Sequence, residues 1–310
     1  MSDITLINDS EQSSLVTNGL AKNGELYLKK AGSTDAGAIV VYDNGSWRTF
    51  ADETSVGFTN EYALNFDGTN DEVSCSIPTS LMASDFTTSL WVKFAANDTA
   101  DGAIWANNYS ASGKVGWRLY FDYTGFPTNY GNLSVWASNG SGAFDNPISN
   151  VSVNLGSNAW TNLVWGRSSG THFLYIDGSQ VTISQGHQGF NSSSSSYSDT
   201  SPDLRIFEAS IGNGPAAGYC DEAAIWDVAL SSSDIAALRD TSGANPVPTD
   251  LSSIGNSGNG PIVWWRMGDD NSGTGTTVSN SQNPGTNDAT LINGPTFHDL
   301  STGPDTIYVS

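Results

Sequence analysis

One run of the chain restricts its fold more than any other: Gly218-Tyr219-Cys220-Asp221-Glu222-Ala223-Ala224-Ile225-Trp226-Asp227-Val228-Ala229-Leu230-Ser231-Ser232-Ser233-Asp234-Ile235. Cys220, Ala223, Ile225 and Trp226 give an apolar stretch of strand length that stops at Asp227. Ser231, with Asp234 three residues later, has the form of a capping box, so a short helix starts there and carries Ile235 and Leu238. The pattern predicts a buried strand that ends abruptly and hands over to a capped helix.

The rest of the chain reads as strands. Thirty-three glycines, 11% aromatic and only 14% charged residues suit many short strands joined by turns, not a helical bundle. Its 310 residues allow one large β-sandwich with appendages, or two domains. No apolar stretch approaches the roughly 20 residues of a membrane helix. No charged-then-apolar leader is read, so Met1-Ser2-Asp3 is expected to be a mature cytosolic start. Thirty-two acidic residues against 11 basic ones leave a formal net charge of −21, which argues against a duplex phosphate backbone as partner.

Along the chain, Leu26, Leu28 and Ile39-Val40-Val41-Tyr42 read as strands, and Asp43-Asn44-Gly45-Ser46 as a hairpin turn returning through Trp47, Thr49 and Phe50. This region has too few apolar residues for a core of its own. From Trp105 to Trp136 aromatics crowd the sequence. Alternation in Trp117-Arg118-Leu119-Tyr120-Phe121 and Leu133-Ser134-Val135-Trp136 sends some rings inward and others to the opposite sheet face. Asn191 to Ser198 is a low-complexity loop expected at an exposed tip. Gly243 to Gly260 reads as a linker, after which Ile262 to Asp269 and Asn287 to Pro295 read as an added pair of edge strands.

Five segments in order carry a resemblance: Tyr62 to Ser74, Phe86 to Phe94, Trp160 to Arg167, Phe173 to Val181, and the closing run from Gly218. Together they resemble laminin-G-like and pentraxin-like domains of the concanavalin A-like superfamily, over roughly residues 58 to 240. The resemblance implies an all-β fold, an antiparallel jelly-roll β-sandwich. Residues 1–57 are then an N-terminal attachment segment, 58–243 the jelly roll, and 244–310 a linker and C-terminal strand pair packing on it. Gly24 to Phe50, and Trp264-Trp265-Arg266-Met267-Gly268-Asp269 with Ala289-Thr290-Leu291, are similar to elements that accompany such domains in structural proteins of marine bacteriophages. In the resembled fold the opening and closing strands run side by side, so Cys75 and Cys220 are either two reduced core thiols or a bridge between those strands.

Hydrolytic chemistry is not legible. Glucanases of this fold carry two or three carboxylates on one strand, aimed at the same face. Here Glu11, Glu25, Glu53, Glu61, Glu72, Glu208 and Glu222 stand far apart. His172, His187 and His298 have no zinc-ligand spacing, no nucleophile elbow is present, and no phosphate-binding glycine loop occurs. Asp67, Asn70 and Asp71 form an oxygen-rich turn, which is either an ordinary hairpin turn or a set of hard ligands for calcium. The pentraxin calcium run has no counterpart, because Ile211 to Gly218 contains no carboxylate. For sugar binding, Trp105, Asn107, Tyr109, Asp122 and Tyr123 supply an aromatic plate with neighbouring polar groups, although core packing explains the same rings.

The resemblance implies a non-enzymatic virion protein, a capsid decoration, knob or fibre-like component on the virion surface. It is made in the host cytoplasm and assembled as a homo-oligomer. Expected partners are other virion proteins through residues 1–57 and host polysaccharide through the jelly roll, with no nucleic acid and no membrane. No cofactor is implied beyond the calcium alternative. A soluble or cell-surface lectin and a glycan hydrolase remain the competing readings.

Overall fold

The structure, a computed structural model, describes residues 5–7, 26–29, 39–43, 46–49, 58–76, 84–94, 102–107, 115–122, 131–139, 144–153, 159–188, 203–208, 217–243 and 245–300. The chain divides into two compact units, Met1–Thr59 and Asn60–Ser310. The first holds a four-stranded sheet of β1 (Thr5–Ile7), β2 (Leu26–Lys29), β3 (Ile39–Asp43) and β4 (Ser46–Thr49). β1 runs parallel to β2, and Asp43 pairs with Ser46 across β3 and β4. Asn44 and Gly45, expected in the turn between them, lie outside the described residues.

The second unit is a sandwich of two antiparallel sheets. One has nine strands, from edge to edge β15 (Ser184–Gln188), β11 (Phe144–Val153), β10 (Gly131–Asn139), β9 (Val115–Asp122), β8 (Gly102–Asn107), β16 (Asp203–Glu208), β6 (Glu72–Ser76), β22 (Ala289–Ile292) and β21 (Thr277–Val278). The facing sheet runs β14 (Ser179–Gln180), β13 (Thr171–Ile176), β12 (Thr161–Ser168), β7 (Phe86–Phe94), β17 (Ala217–Trp226), β5 (Tyr62–Asp67) and β23 (Thr296–Asp299), with β20 (Val263–Trp265) beside β17. A ribbon of β18 (Arg239–Asp240) and β19 (Val247–Pro248) lies outside both. The helix expected after the closing strand is α1 (Ser232–Ala237), capped by Ser231 with both halves of the capping box formed to Asp234.

Alternation builds the core. Phe86, Leu90, Val92 and Phe94 of β7 meet Trp117, Leu119 and Phe121 of β9 and Leu133, Val135 and Ala137 of β10 in one buried cluster. Phe94 stacks on Phe121 with centroids 5.3 Å apart, and Phe66 on Phe207 at 4.4 Å. Every residue of β7 is buried, so its other face is covered too. The Thr87 hydroxyl donates to Val228 O and accepts from Leu230 N, both at 2.9 Å, and Arg239 lies over the Trp91 ring.

Two segments differ from expectation. Residues 245–260 are not a simple linker: Leu251 is buried, and the Trp226 indole donates to Ile254 O at 2.7 Å. Their polar composition reflects turns laid over the sheet, and a single leucine with a few carbonyls is enough to anchor them. The two C-terminal strands expected to form a pair, β20 and β22, do not pair with each other. β20 pairs with β17, β22 with β6, and β23 with β5, so the segment contributes to both sheets. β6 and β5 belong to different sheets, and the C-terminal strands line up beside each of them in turn.

Cys75 and Cys220 are free and buried, on facing sheets. Burial pushes the Cys75 thiol up to about 12, and its Sγ donates to Asn287 O at 3.2 Å. Neither thiol has the electropositive, accessible setting that makes cysteine reactive.

Candidate functional site

The outer face of the nine-stranded sheet carries a continuous row of directly opposed residues. Trp136 of β10 pairs with Arg118 of β9, Arg118 with Ala106 of β8, Ala106 with Arg205 of β16, Arg205 with Ser74 of β6, and Ser74 with Thr290 of β22. At a strand spacing of about 4.8 Å the row is roughly 24 Å long. It faces outward because its neighbours along each strand, Trp117, Leu119, Val135, Ala137, Trp105 and Leu204, belong to the core.

Large and small side chains alternate across this face. Trp136, Arg118 and Arg205 are half-buried, while Ala106 between the two arginines is fully buried. Ser134 and Ser138, two residues either side of Trp136, are also buried. Tyr120, opposite Ser134, is half-buried and takes the Arg118 guanidinium over its ring at 4.4 Å. Arg205 donates from Nη1 to both Glu72 carboxylate oxygens at 3.0 and 3.2 Å. Two of only 11 cationic side chains therefore stand beside an indole and a phenol. Flat rings with apolar bodies and polar tips, next to fixed donors, are the groups a sugar ring uses for its C–H face and its hydroxyls.

A second polar constellation is buried and belongs to the sheet. β17 pairs along one flank with β5 up to Cys220 and with β20 from Ala223 onward. At the change of partner a bulge places Glu222 at φ 46°, and the carboxylates fill the interruption. Asn60 Nδ2 donates to Asp221 Oδ2 at 2.7 Å and the Glu222 N–H to Asp221 Oδ1 at 2.8 Å. The Trp264 indole donates to Glu222, Arg266 Nε donates to Glu222 Oε1 at 3.3 Å, and Arg266 Nη2 donates to Asp269 Oδ2 at 2.7 Å. Asp269 Oδ1 accepts from the Glu61 and Tyr62 N–H groups. Burial pushes Glu222 up to about 8 and Asp269 up to about 6, each against the pull of Arg266, and Asp221 well above the carboxylate range. Two acids, Glu222 and Asp269, share the Arg266 guanidinium, and Asp221 is held by Asn60 and the Glu222 N–H, all out of reach of a polysaccharide. Such a cluster ties strands together and cannot flank a glycosidic bond.

The sequence-predicted sugar residues are not gathered into one site. Trp105 is a correction: it is fully buried, 6.3 Å from Trp265 centroid to centroid, and shows no ring face to solvent. A register shift in β8 between Ala103 and Trp105 turns it into the core. Asn107 and Asp122 lie on β8 and β9, in register with Trp117 and Asn132. Tyr109 and Tyr123, like the loop from Asn191 to Ser198, lie outside the described residues. Of the calcium candidates, Asp67 Oδ1 accepts from the Thr69 N–H at 2.7 Å, Asp71 Oδ2 accepts from the Asp67 N–H at 3.0 Å, and Asn70 O accepts from Asn293 at 2.9 Å. Burial raises the Asp71 carboxyl. These bonds are those of a hairpin turn holding its own backbone, and among the described residues no cluster of three or more His, Cys, Asp or Glu is placed to hold a metal.

Comparison with known proteins agrees with this fold. Residues 67–236, more than half of the chain, match a laminin G-type family of the concanavalin A-like lectin/glucanases superfamily, and the chain belongs to it. Among solved structures, it is similar to a candidate carbohydrate-binding protein from Bacteroides ovatus (17% identity, 91% of this chain and 71% of that one, TM-score 0.49). It is also similar to the heptameric SAP-like pentraxin of Limulus polyphemus (14% identity, 60% and 84%, TM-score 0.41). A third is the CBM40 domain of the Ruminococcus gnavus IT-sialidase, solved with α2,3 sialyllactose (12% identity, 56% and 95%, TM-score 0.39). No curated protein sequence matches the chain.

Proposed function

We propose that this protein is a non-enzymatic virion component that displays its lectin-like domain to bind host-surface polysaccharide along the outer face of the nine-stranded sheet. The observation that carries the binding role is the outward row, in which the half-buried Trp136, Arg118 and Arg205 stand in register on β10, β9 and β16 with Tyr120 beside them. Trp136 and Tyr120 supply apolar faces, and the arginines supply donors whose planes are held by stacking or by Glu72. The placement of the acids supports the non-hydrolytic reading. Asp221, Glu222 and Asp269 are sequestered, and the sequence carries no paired-carboxylate strand motif. The virion role rests on the resemblance of Gly24 to Phe50 and of the Trp264 to Asp269 run to elements of marine bacteriophage proteins, with residues 1–57 docking on the particle. Assembly there as a homo-oligomer multiplies weak contacts into avidity.

Two measurements test this. Co-sedimentation with a panel of insoluble algal and bacterial polysaccharides is expected to retain the protein on at least one, with no reducing sugar released; retention on none, or sugar release, rejects the binding reading. Immunogold labelling of purified particles is expected to decorate virions, and unlabelled particles reject the virion role.

A further inference from the structure

A concave site lies at the rim of the sandwich, on the facing sheet and not on the outward row. It forms where the chain leaves β14 and crosses to β15, from the edge of one sheet to the edge of the other. Thr171, His172, Gln180, Val181, Thr182 and Ile183 line a cavity of ≈ 400 Å³, toward the small end of the roughly 300–1,000 Å³ typical of ligand sites. Thr171, Gln180 and Thr182 are exposed, while Val181 and Ile183 are half-buried against the core. The Val181 N–H donates to Leu174 O at 2.9 Å, so the start of the crossing segment is held in place.

The imidazole of His172 is the fixed part of the wall. It is buried, and the Trp165 indole N–H donates to its Nδ1 at 3.3 Å, with the two rings only 8° from parallel. Phe86 braces Trp165 edge-on. Because Nδ1 accepts, the neutral ring carries its proton on Nε2, and the imidazole plane is fixed. Among the described residues, the lining consists of hydroxyls, an amide, an imidazole and two aliphatic side chains. A polyhydroxylated neutral ring would find donors and acceptors around its rim and an apolar patch for its C–H face.

We infer that this rim cavity is a second binding site, separate from the outward row, that takes one neutral sugar unit. The test is NMR titration of the ¹⁵N-labelled full chain with the methyl glycosides of glucose, galactose, mannose and N-acetylglucosamine. The reporter is the Trp165 indole resonance, which senses His172 directly. At least one glycoside is expected to shift it saturably, with affinity unchanged in Trp136→Ala and weakened at least fivefold in the double variant Gln180→Ala, Thr182→Val. Both side chains of that double variant are exposed, so its fold is retained. No saturable shift with any of the four, an unchanged affinity in the double variant, or loss of the shift in Trp136→Ala overturns the inference. Failure here leaves the outward row untouched, because that row is tested through Trp136.

Discussion

Glu222 shows how one residue reports on a whole junction. Its ordinary carboxyl value near 4.5 is pushed up to about 8 in the fold, mainly by burial. The folded state therefore binds more protons than the unfolded state between those values. The stabilisation is fully present below about 4.5 and is lost as pH rises through about 8. Thermal melts from pH 5 to pH 9 should show a falling midpoint for the native chain and a flatter profile for Glu222→Gln, which keeps the shape without the charge; parallel profiles would refute this. Trp265 is a packing residue. It is fully buried, meets Trp105, and donates to Asn287 O at 2.9 Å. Trp265→Ala should cost about 3–5 kcal/mol in urea unfolding, and a loss below about 1 kcal/mol would show that the site collapses around the gap. Individual residues differ in how far the sequence reveals them. The Ser231 cap is readable because capping is decided within four residues. The Glu222 bulge is not, because its cause is a change of strand partner between residues far apart in sequence.

At the scale of elements, alternation in β9 and β10 is visible in the sequence, and it correctly divides Trp117 and Leu119 from Arg118 and Tyr120. Which strands become neighbours is not visible there. The row from Trp136 to Thr290 exists only because β10, β9, β8, β16, β6 and β22 lie side by side, although they span most of the chain. Trp105 misleads for a related reason: its polar followers look like the surroundings of an exposed plate, and a local register shift sends it inward. The C-terminal segment is the element with the strongest prediction. It supplies β20, β22 and β23 to both sheets and brings Arg266 to the buried acids. A chain ending at Asn259 should lose cooperative unfolding, because it exposes strand edges and strands Glu222 without its cation. A truncated protein that melts like the full chain would contradict that pairing. Ser231→Ala, by contrast, should cost only about 1 kcal/mol by chemical denaturation.

On the scale of the molecule, the second unit is a sandwich with one sheet face covered by its own C-terminal chain and the other carrying the outward row. That asymmetry decides where a long polymer can lie. The covered face spends its polar groups on internal bonds, and its acids are held in the fold. The outward row carries rings and guanidinium groups in a chain whose net charge is −21, and the chain belongs to a superfamily of lectins and glucanases. The central claim is that this row holds a glycan without cutting it. Isothermal titration of the full chain and of Trp136→Ala with a soluble oligosaccharide of the retained polysaccharide, followed by chromatography of the sugar, tests both halves at once. The predicted result is saturable binding, weakened at least about tenfold or ~1.4 kcal/mol by the substitution, with the oligosaccharide recovered at its original length. Undiminished binding by Trp136→Ala, or a shortened sugar, would contradict it.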